Sequence, residues 1–367
     1  METSRRLLLE YFRLLRRHGL TNAILRMPPD FVVQFEAQLQ QLLATEGEMD
    51  EGTNPLTSMS ALQGVLECVR GEVETGLTRA GFAVSSPLLV AIFPTGSFNA
   101  EVKPVTGGVL VLIHTPAMTL MADMLKVNVW SARVDGHPPR VSKQETVAAV
   151  AGLIHRYLTE EHEPPTHPPP VNVVGDITMA YLWAENPIDR WHFYFGPLVR
   201  SCLRFIVAHE YGHMVAGHIQ PNKTVVKLTP VGQVALAEKS HEQEYEADLL
   251  AAKILLAHFG QPPQAGQGLF PAATLVSPLF FFTMHDAIDR VRSNLGLKPM
   301  AVSSDHPPST DRWRRLHSFF MQEFTRVGLP RKAVDLPEAF ELWFKSIEDD
   351  VSNTVQRLRA CPEIAPQ

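Results

Sequence analysis

The chain contains two histidines and a glutamate at a spacing that can bind a metal ion and use it. The segment is His209-Glu210-Tyr211-Gly212-His213, a His-Glu-x-x-His pattern inside an apolar stretch. On a helix, residues four apart share a face, so His209 and His213 can present both imidazoles to one Zn²⁺. Glu210 lies beside them and can polarise a water molecule held there. The pattern predicts a hydrolytic zinc site if the chain also supplies a helix and a third ligand.

The residues around this pattern predict the helix that the zinc site requires. Gly196-Pro197 puts a proline in the first helical turn, and apolar residues continue at helical spacing to Ile219, before Pro221. A metzincin-type third ligand would be a histidine ten residues after His209. That position is Ile219, and His218 comes one residue early. We therefore expect His218 to have a structural role or to contact a metal ligand without binding the metal itself.

A second predicted helix offers two carboxylates to the same site. Residues 240–243 form a capping-box pattern that opens this helix. Glu244 and Asp248 are four apart and share a face, and the neighbouring Ala247 and Ala251 are small enough for close approach to another helix. One carboxylate can bind zinc while the other accepts a hydrogen bond from a ligand imidazole. The spacing alone leaves open whether Glu244 is a ligand or part of a solvated acidic helix start.

A third segment, Ser304-Asp-His-Pro-Pro-Ser-Thr-Asp-Arg-Trp-Arg-Arg-Leu316, joins an irregular loop to a helix predicted to begin near Thr310. The two prolines after His306 restrict the backbone there to few conformations. In isolation this would be an ordinary turn histidine.

Taken in order, these three segments resemble the gluzincin metallopeptidases of the CAAX prenyl endopeptidase and heat-shock membrane protease group. That family carries His-Glu-x-x-His, then a Glu-x-x-Ala-Asp-like segment, then Thr-His-Pro-Pro…Arg…Leu. The family's threonine is Asp305 here, whereas His306, both prolines, Arg312 and Leu316 keep the spacing. Residues 97–100 and 107–113 are similar to the family's Asn-Ala segment and edge strand. The resemblance covers about residues 88–126 and 197–320.

The resemblance implies one catalytic Zn²⁺ and a role for each matching residue. The ligands would be His209, His213 and Glu244, and Glu210 would be the general base. Asp248 would orient a ligand imidazole, His306 would donate to the developing oxyanion, and Arg312 would hold the His-Pro loop in place.

The expected fold is α+β and mostly helical, with a zincin-like core and a small antiparallel sheet. Apolar runs predict strands over 88–93, 98–103 and 109–114 as a meander. Apolar spacing predicts helices over 5–17, 31–44, 58–80, 115–126, 142–161, 196–219, 242–258 and from 310. We expect a helical section over 1–86, a metallopeptidase domain over 87–330 with an insertion at 127–196, and a helical tail over 331–367.

Composition narrows the class of protein. The 367 residues are 45% hydrophobic and 20% charged, with a net charge of −6, so nothing suggests a nucleic-acid partner. Three scattered cysteines argue for a reducing compartment, and we expect a cytoplasmic protein. No apolar run is long enough to span a membrane. Residues 1–20 form an Arg-rich amphipathic segment, which predicts a packed surface helix, with peripheral membrane contact or organellar targeting as the alternatives.

The expected function is a zinc endopeptidase acting on a peptide or unfolded protein. An extended substrate would add to an edge strand formed near 109–114 or 98–103, which supplies backbone recognition. The insertion at 127–196 can be a lid, a partner surface or a plug. The alternative is a catalytically silent, zinc-binding sensor or regulator whose site this insertion covers.

Overall fold

A computed structural model describes most of the chain. The described residues are 2–20, 61–84, 86–95, 98–132, 138–160, 190–219, 224–229, 232–237, 239–259, 274–298, 306–329 and 331–360. The helix predicted over 31–44, the histidines 162 and 167, and the proline-rich segment 163–170 lie outside them. Within these ranges no helix is long and apolar enough to cross a membrane.

The described residues are mostly helical with two small sheets, in agreement with the α+β prediction. The helices are α1 (Glu2–Arg17), α2 (Ala61–Ala80), α3 (Thr115–Ser131), α4 (Lys143–Glu160), α5 (Arg190–Val215), α6 (His241–His258), α7 (Ser277–Asn294), α8 (Ser309–Val327), α9 (Leu336–Lys345) and α10 (Glu348–Ala360), with a 3₁₀ turn at Arg331–Ala333. The strands are β1 (Leu88–Phe93), β2 (Ala100–Val105), β3 (Gly108–His114), β4 (Thr224–Thr229) and β5 (Gly232–Ala237).

The larger sheet is mixed, so the expected antiparallel meander is wrong. Its strand order is β1-β3-β2, with β1 parallel and β2 antiparallel to β3. The antiparallel pair follows from the tight turn at Gly107, whose φ of 92° suits glycine. Strand β3 follows both β1 and β2 in the chain but lies between them in the sheet. Residues 109–114 therefore form a central strand, and only β2 remains of the two expected edge strands.

The sheet separates the N-terminal helix from the main core. Alternate residues of β1 point to opposite faces, so Ala91 and Phe93 pack against α1 while Val90 and Ile92 join the main core. The apolar side of α1 is buried on the sheet, and the Tyr11 hydroxyl donates a 2.6 Å hydrogen bond to the Ile92 carbonyl oxygen. The amphipathic pattern of α1 is therefore explained by the packing of its apolar side on the sheet. Peripheral membrane contact through residues 1–20 stays a prediction.

Part of the predicted insertion is packed helix. Residues 143–160 form α4, which begins with the predicted capping box between Ser142 and Glu145 and packs against α3 and α10. Residues 127–131 of the predicted insertion continue α3 and residues 190–196 begin α5, whereas 133–137 and 161–189 lie outside the described residues.

The two helices that carry the candidate site approach closely at a glycine. Helix α5 packs against α6, and a Cβ atom built at Gly212 would lie 2.7 Å from the carbonyl oxygen of Ala247. On its other side, α6 meets α2 at Gly76, where a Cβ would lie 2.6 Å from the Ile254 carbonyl oxygen. Both distances are well below van der Waals contact with rigid backbone. Helix α6 is therefore held between two helices at a separation that only glycine permits.

We predict that Gly212→Ala destabilises the fold, although alanine is the better helix former. The added methyl group must push α6 away from α5, which costs about 1–3 kcal/mol as overpacking. Gly71→Ala in α2 is the matched control, because its Cβ would meet nothing within 4 Å. The control should gain about 0.5–1 kcal/mol from helix propensity. Urea denaturation measures both, and equal stabilisation of the two variants would contradict the close-contact argument.

Candidate metal centre

Three of the sequence-predicted residues converge at one point between α5 and α6. The Nε2 atoms of His209 and His213 are 3.1 Å apart. Glu244 Oε2 lies 3.4 Å from His209 Nε2, and Glu244 Oε1 lies 3.2 Å from His213 Nε2. Within the described residues, this is the group of three side chains with donor atoms close enough to hold a metal ion. His218 stands outside the trio.

The spacing of these donor atoms fits a tetrahedral zinc ion. Ligands about 2.0–2.1 Å from such an ion are separated from each other by about 3.3 Å. Neither Glu244 oxygen accepts a well-formed hydrogen bond from the described residues, although the carboxylate is fully buried. Lys239 and Arg312 lie near this carboxylate as ion pairs, and its two oxygens keep lone pairs that can bind a metal ion. The donor set of two imidazoles and one carboxylate is the set that zinc uses in hydrolytic sites.

The local charges favour the deprotonated form of one ligand and the protonated form of another. Burial alone would raise the pKa of Glu244, but the charges of Lys239, His306 and Arg312 hold it well below its usual value. Burial opposes protonation of His209, but hydrogen bonds and charges from Asp248 and Glu244 prevail and raise its pKa to about 9. Since a metal ion needs the neutral imidazole, its binding would release a proton from His209.

The second histidine is electrostatically different. Burial, together with the neighbouring Lys239 ammonium, lowers the pKa of His213 well below its usual value. His213 is therefore neutral, which is the form that binds a metal ion.

Asp248 lies where the sequence predicts, behind the ring of His209. Its Oδ1 is 2.9 Å from His209 Nδ1, so that Nε2 faces Glu244. Burial would raise the pKa of Asp248, but Arg312 and His209 lower it. The carboxylate therefore stays charged and fixes the orientation of the imidazole.

Arg312 has a larger part in the site than the sequence predicts. Its Nε and Nη2 donate hydrogen bonds of 2.7 and 2.6 Å to the two oxygens of Asp248. Its Nη1 also lies 3.3 Å from Glu244 Oε2, and the guanidinium stacks 4.5 Å above the Phe282 ring centre. A single cation on α8 thus contacts two carboxylates of α6.

Lys239 is a site residue that the sequence analysis missed. Its Nζ is buried, 3.0 Å from Glu210 Oε2 and 3.8 Å from Glu244 Oε1. Burial opposes its charge, but Glu210 and Glu244 outweigh that effect and raise its pKa. The other oxygen of the same glutamate, Glu210 Oε1, lies 3.9 Å from His209 Nε2. Lys239 therefore holds one oxygen of Glu210 and leaves the second directed towards the histidines.

The ring of His306 lies in the site, beside the candidate ligand Glu244. Its Nδ1 lies 3.2 Å from Glu244 Oε2, and its buried Nε2 has no hydrogen-bond partner among the described residues. The His-Pro-Pro segment thus places the imidazole of His306 at the candidate metal centre. Its Nε2 lies on the side of the ring away from Glu244 and can contact another group. Asp305, in the position of the family's threonine, lies outside the described residues.

The site thus places a His-Glu-x-x-His helix against a second helix that carries two carboxylates. Comparison with protein families gives one match to this part of the chain, the family described as Peptidase U49, over residues 184–325. That range includes α5, α6, His306 and most of α8. No curated protein and no solved structure matches the chain. The similarity supports a peptidase.

We predict that Arg312→Lys weakens the metal centre without removing its positive charge. An ammonium cannot form the two parallel hydrogen bonds to Asp248, so the carboxylate and the ring of His209 lose their fixed orientation. Zinc affinity should fall about 10–100-fold, as is typical when a residue that orients a metal ligand through hydrogen bonds is replaced. Competition with a chromophoric chelator measures this fall. Arg326→Lys, at an exposed position of the same helix, should leave the affinity unchanged, and equal affinities in both variants would contradict the assignment.

Proposed function

We propose that this protein is a zinc-dependent endopeptidase. The observation that carries the proposal is the convergence of His209, His213 and Glu244 at zinc-ligand spacing, with Glu210 buried beside them. The similarity to Peptidase U49 over the same helices supports peptide-bond hydrolysis independently. A bound Zn²⁺ would act as a Lewis acid towards the attacking water and the scissile carbonyl.

Glu210 is the general base of the proposed reaction. Its Oε1 faces the ligand histidines while Lys239 holds Oε2, so the carboxylate has one oxygen with which to accept a proton from the attacking water. The same oxygen then returns the proton to the leaving amine. Lys239 restricts Glu210 to this orientation, which is a positioning role.

His306 supplies a donor on the other side of the ligand carboxylate. Its Nδ1 is placed against Glu244, and the buried Nε2 is directed away from that contact. We assign Nε2 as a donor to the oxygen that becomes negative as the carbonyl is attacked. This role uses the imidazolium form of His306, because Nδ1–H already faces the Glu244 carboxylate and a neutral ring has only one N–H.

The substrate is a peptide or an unfolded protein bound in an extended form. Strand β2 is the edge of the mixed sheet nearest the site, and its backbone can pair with an added strand. Strand β5 also lies close to β2 and leads directly to Lys239. The β4–β5 hairpin, which the sequence analysis did not predict, therefore lies beside the strand that we propose binds the substrate.

We predict that Glu210→Gln lowers the rate of casein cleavage about 10²–10⁴-fold and leaves zinc binding unchanged. Glutamine fills the same volume and still offers an oxygen to Lys239, but it cannot accept the proton of the attacking water. Cleavage of unfolded casein and metal content of the purified protein are the two measurements. Glu242→Gln, at the exposed start of α6, is the control and should cleave normally. A Glu210→Gln variant that still cleaves would eliminate the proposed base.

The second candidate function is a zinc-binding sensor or regulator without catalytic activity. Two observations favour it: the three candidate ligands and Glu210 are all buried, and Lys239 already pairs with that glutamate. Both would also be found in a peptidase whose site is closed. The discriminating experiment assays zinc-loaded protein on casein before and after limited proteolysis within 162–170. Cleavage in either state supports the peptidase, whereas bound zinc with no cleavage in both states supports the regulator.

A further inference from the structure

The end of helix α5 turns a histidine back towards the candidate metal centre. After Val215 the chain passes through Gly217 in the left-handed conformation, with a φ of 70°. The N–H of His218 then bonds to the carbonyl oxygen of His213 at 2.9 Å, and that of Gly217 to Met214 at 3.1 Å. These two bonds are those of a Schellman motif, which folds the residue after the glycine against the last turns of the helix. His218 is buried beside His213 as a result.

The rings of these two histidines meet nitrogen to nitrogen. His213 Nδ1 and His218 Nδ1 are 3.0 Å apart, while His213 Nε2 faces His209 and Glu244. The other nitrogen of His218, Nε2, lies 3.1 Å from Glu246 Oε2 on α6. The three side chains therefore form a hydrogen-bonded series from the candidate metal position to an exposed carboxylate.

The chemistry of imidazole assigns a donor and an acceptor at each contact. A ligand histidine that binds metal through Nε2 keeps its proton on Nδ1. His213 must then donate to His218 Nδ1, which can accept only if the proton of His218 is on Nε2. A carboxylate accepts but never donates when ionised, so Glu246 stabilises that tautomer of His218. All three groups are satisfied by this one arrangement.

We propose that His218 is a positioning residue for the ligand His213, and that Glu246 fixes the tautomer in which His218 can serve. The inference rests on the proposed zinc site and adds a second support to it. Asp248 orients His209 directly through a carboxylate, whereas His213 is oriented by a neutral imidazole that is itself oriented by Glu246. Each ligand imidazole is thus fixed by a different residue behind it, one on α6 and one at the end of α5.

Packing and hydrogen bonding can be separated at position 218. His218→Phe fills the ring's space but leaves the Nδ1–H of His213 without an acceptor. His218→Asn restores an oxygen near the position of the imidazole Nδ1 and loses the contact with Glu246. A residue that served packing alone would be replaced better by phenylalanine than by asparagine, so the two variants separate the two roles.

The test measures Zn²⁺ affinity by chelator competition and the visible spectrum of the Co²⁺-substituted protein. His218→Phe should lose about 10–100-fold in Zn²⁺ affinity and change the Co²⁺ spectrum, and His218→Asn should recover most of the affinity. Glu246→Leu, at an exposed position where the fold tolerates change, should lose several-fold, and Glu246→Gln less. His241→Phe, an exposed histidine at the start of α6, is the control and should bind as the unmodified chain does.

The outcomes separate this inference from the proposed function. Unchanged Zn²⁺ affinity in both His218→Phe and Glu246→Leu overturns the positioning role while the zinc site stands. If His218→Phe does not fold, the other variants still decide. Unchanged Zn²⁺ affinity in Glu246→Leu overturns the part assigned to Glu246. A Zn²⁺ affinity of His218→Asn as low as that of the ligand variant His213→Ala overturns the part assigned to His218. Failure of the unmodified chain to bind Zn²⁺ overturns the proposed function, and this inference with it.

Discussion

The contact between Gly212 and Ala247 brings the two halves of the candidate metal centre together. The glycine lies between the two histidines of α5, and the alanine lies between Glu244 and Asp248 on α6. Because no side chain separates the two backbones there, carboxylates on one helix reach imidazoles on the other at 2.9–3.4 Å. A helix separation larger by the width of a methyl group would break every one of these contacts. The small residues inside both motifs are therefore as necessary to the site as the polar ones.

The second constraint is the balance of charge in a buried space. Three carboxylates, Glu210, Glu244 and Asp248, lie within the protein and would be costly there alone. Lys239 and Arg312 compensate them, each bridging two of the three. Although burial would raise the pKa values of Glu244 and Asp248, the neighbouring positive charges hold both below their usual range. The same cations fix the orientation of the side chains, so that the site is preformed between rigid helices.

The surroundings of the site bear on how a substrate can reach it. The mixed sheet presents β2 as its edge near the centre, and the β4–β5 hairpin lies close beside it and leads to Lys239. The Peptidase U49 match begins after the sheet and covers the helices of the metal centre. The match therefore includes the β4–β5 hairpin as well as the helices of the candidate site, whereas the mixed sheet lies outside it.

The sequence alone determined the features that depend on residues close together along the chain. The capping box at Ser240, the shared face of His209 and His213, and the shared face of Glu244 and Asp248 all follow from spacings of three or four residues. Helix periodicity and local hydrogen bonds are sufficient to produce them. The predicted start of α5 at Gly196 is wrong, because this helix begins at Arg190 and contains Pro197 in its interior. The family resemblance directed attention to His306, which spacing alone could not distinguish from an ordinary turn histidine.

Only the tertiary structure decided the features that depend on residues far apart. The parallel pairing of β1 with β3 joins strands separated by another strand in sequence, and no local pattern specifies that partner. Lys239 carries no motif, and it became a site residue because a hairpin places its ammonium against a glutamate 29 residues earlier. Arg312 reaches across 64 residues to Asp248 in the same way. Buried charges select their partners by proximity in space, and that proximity arises only when the helices have packed.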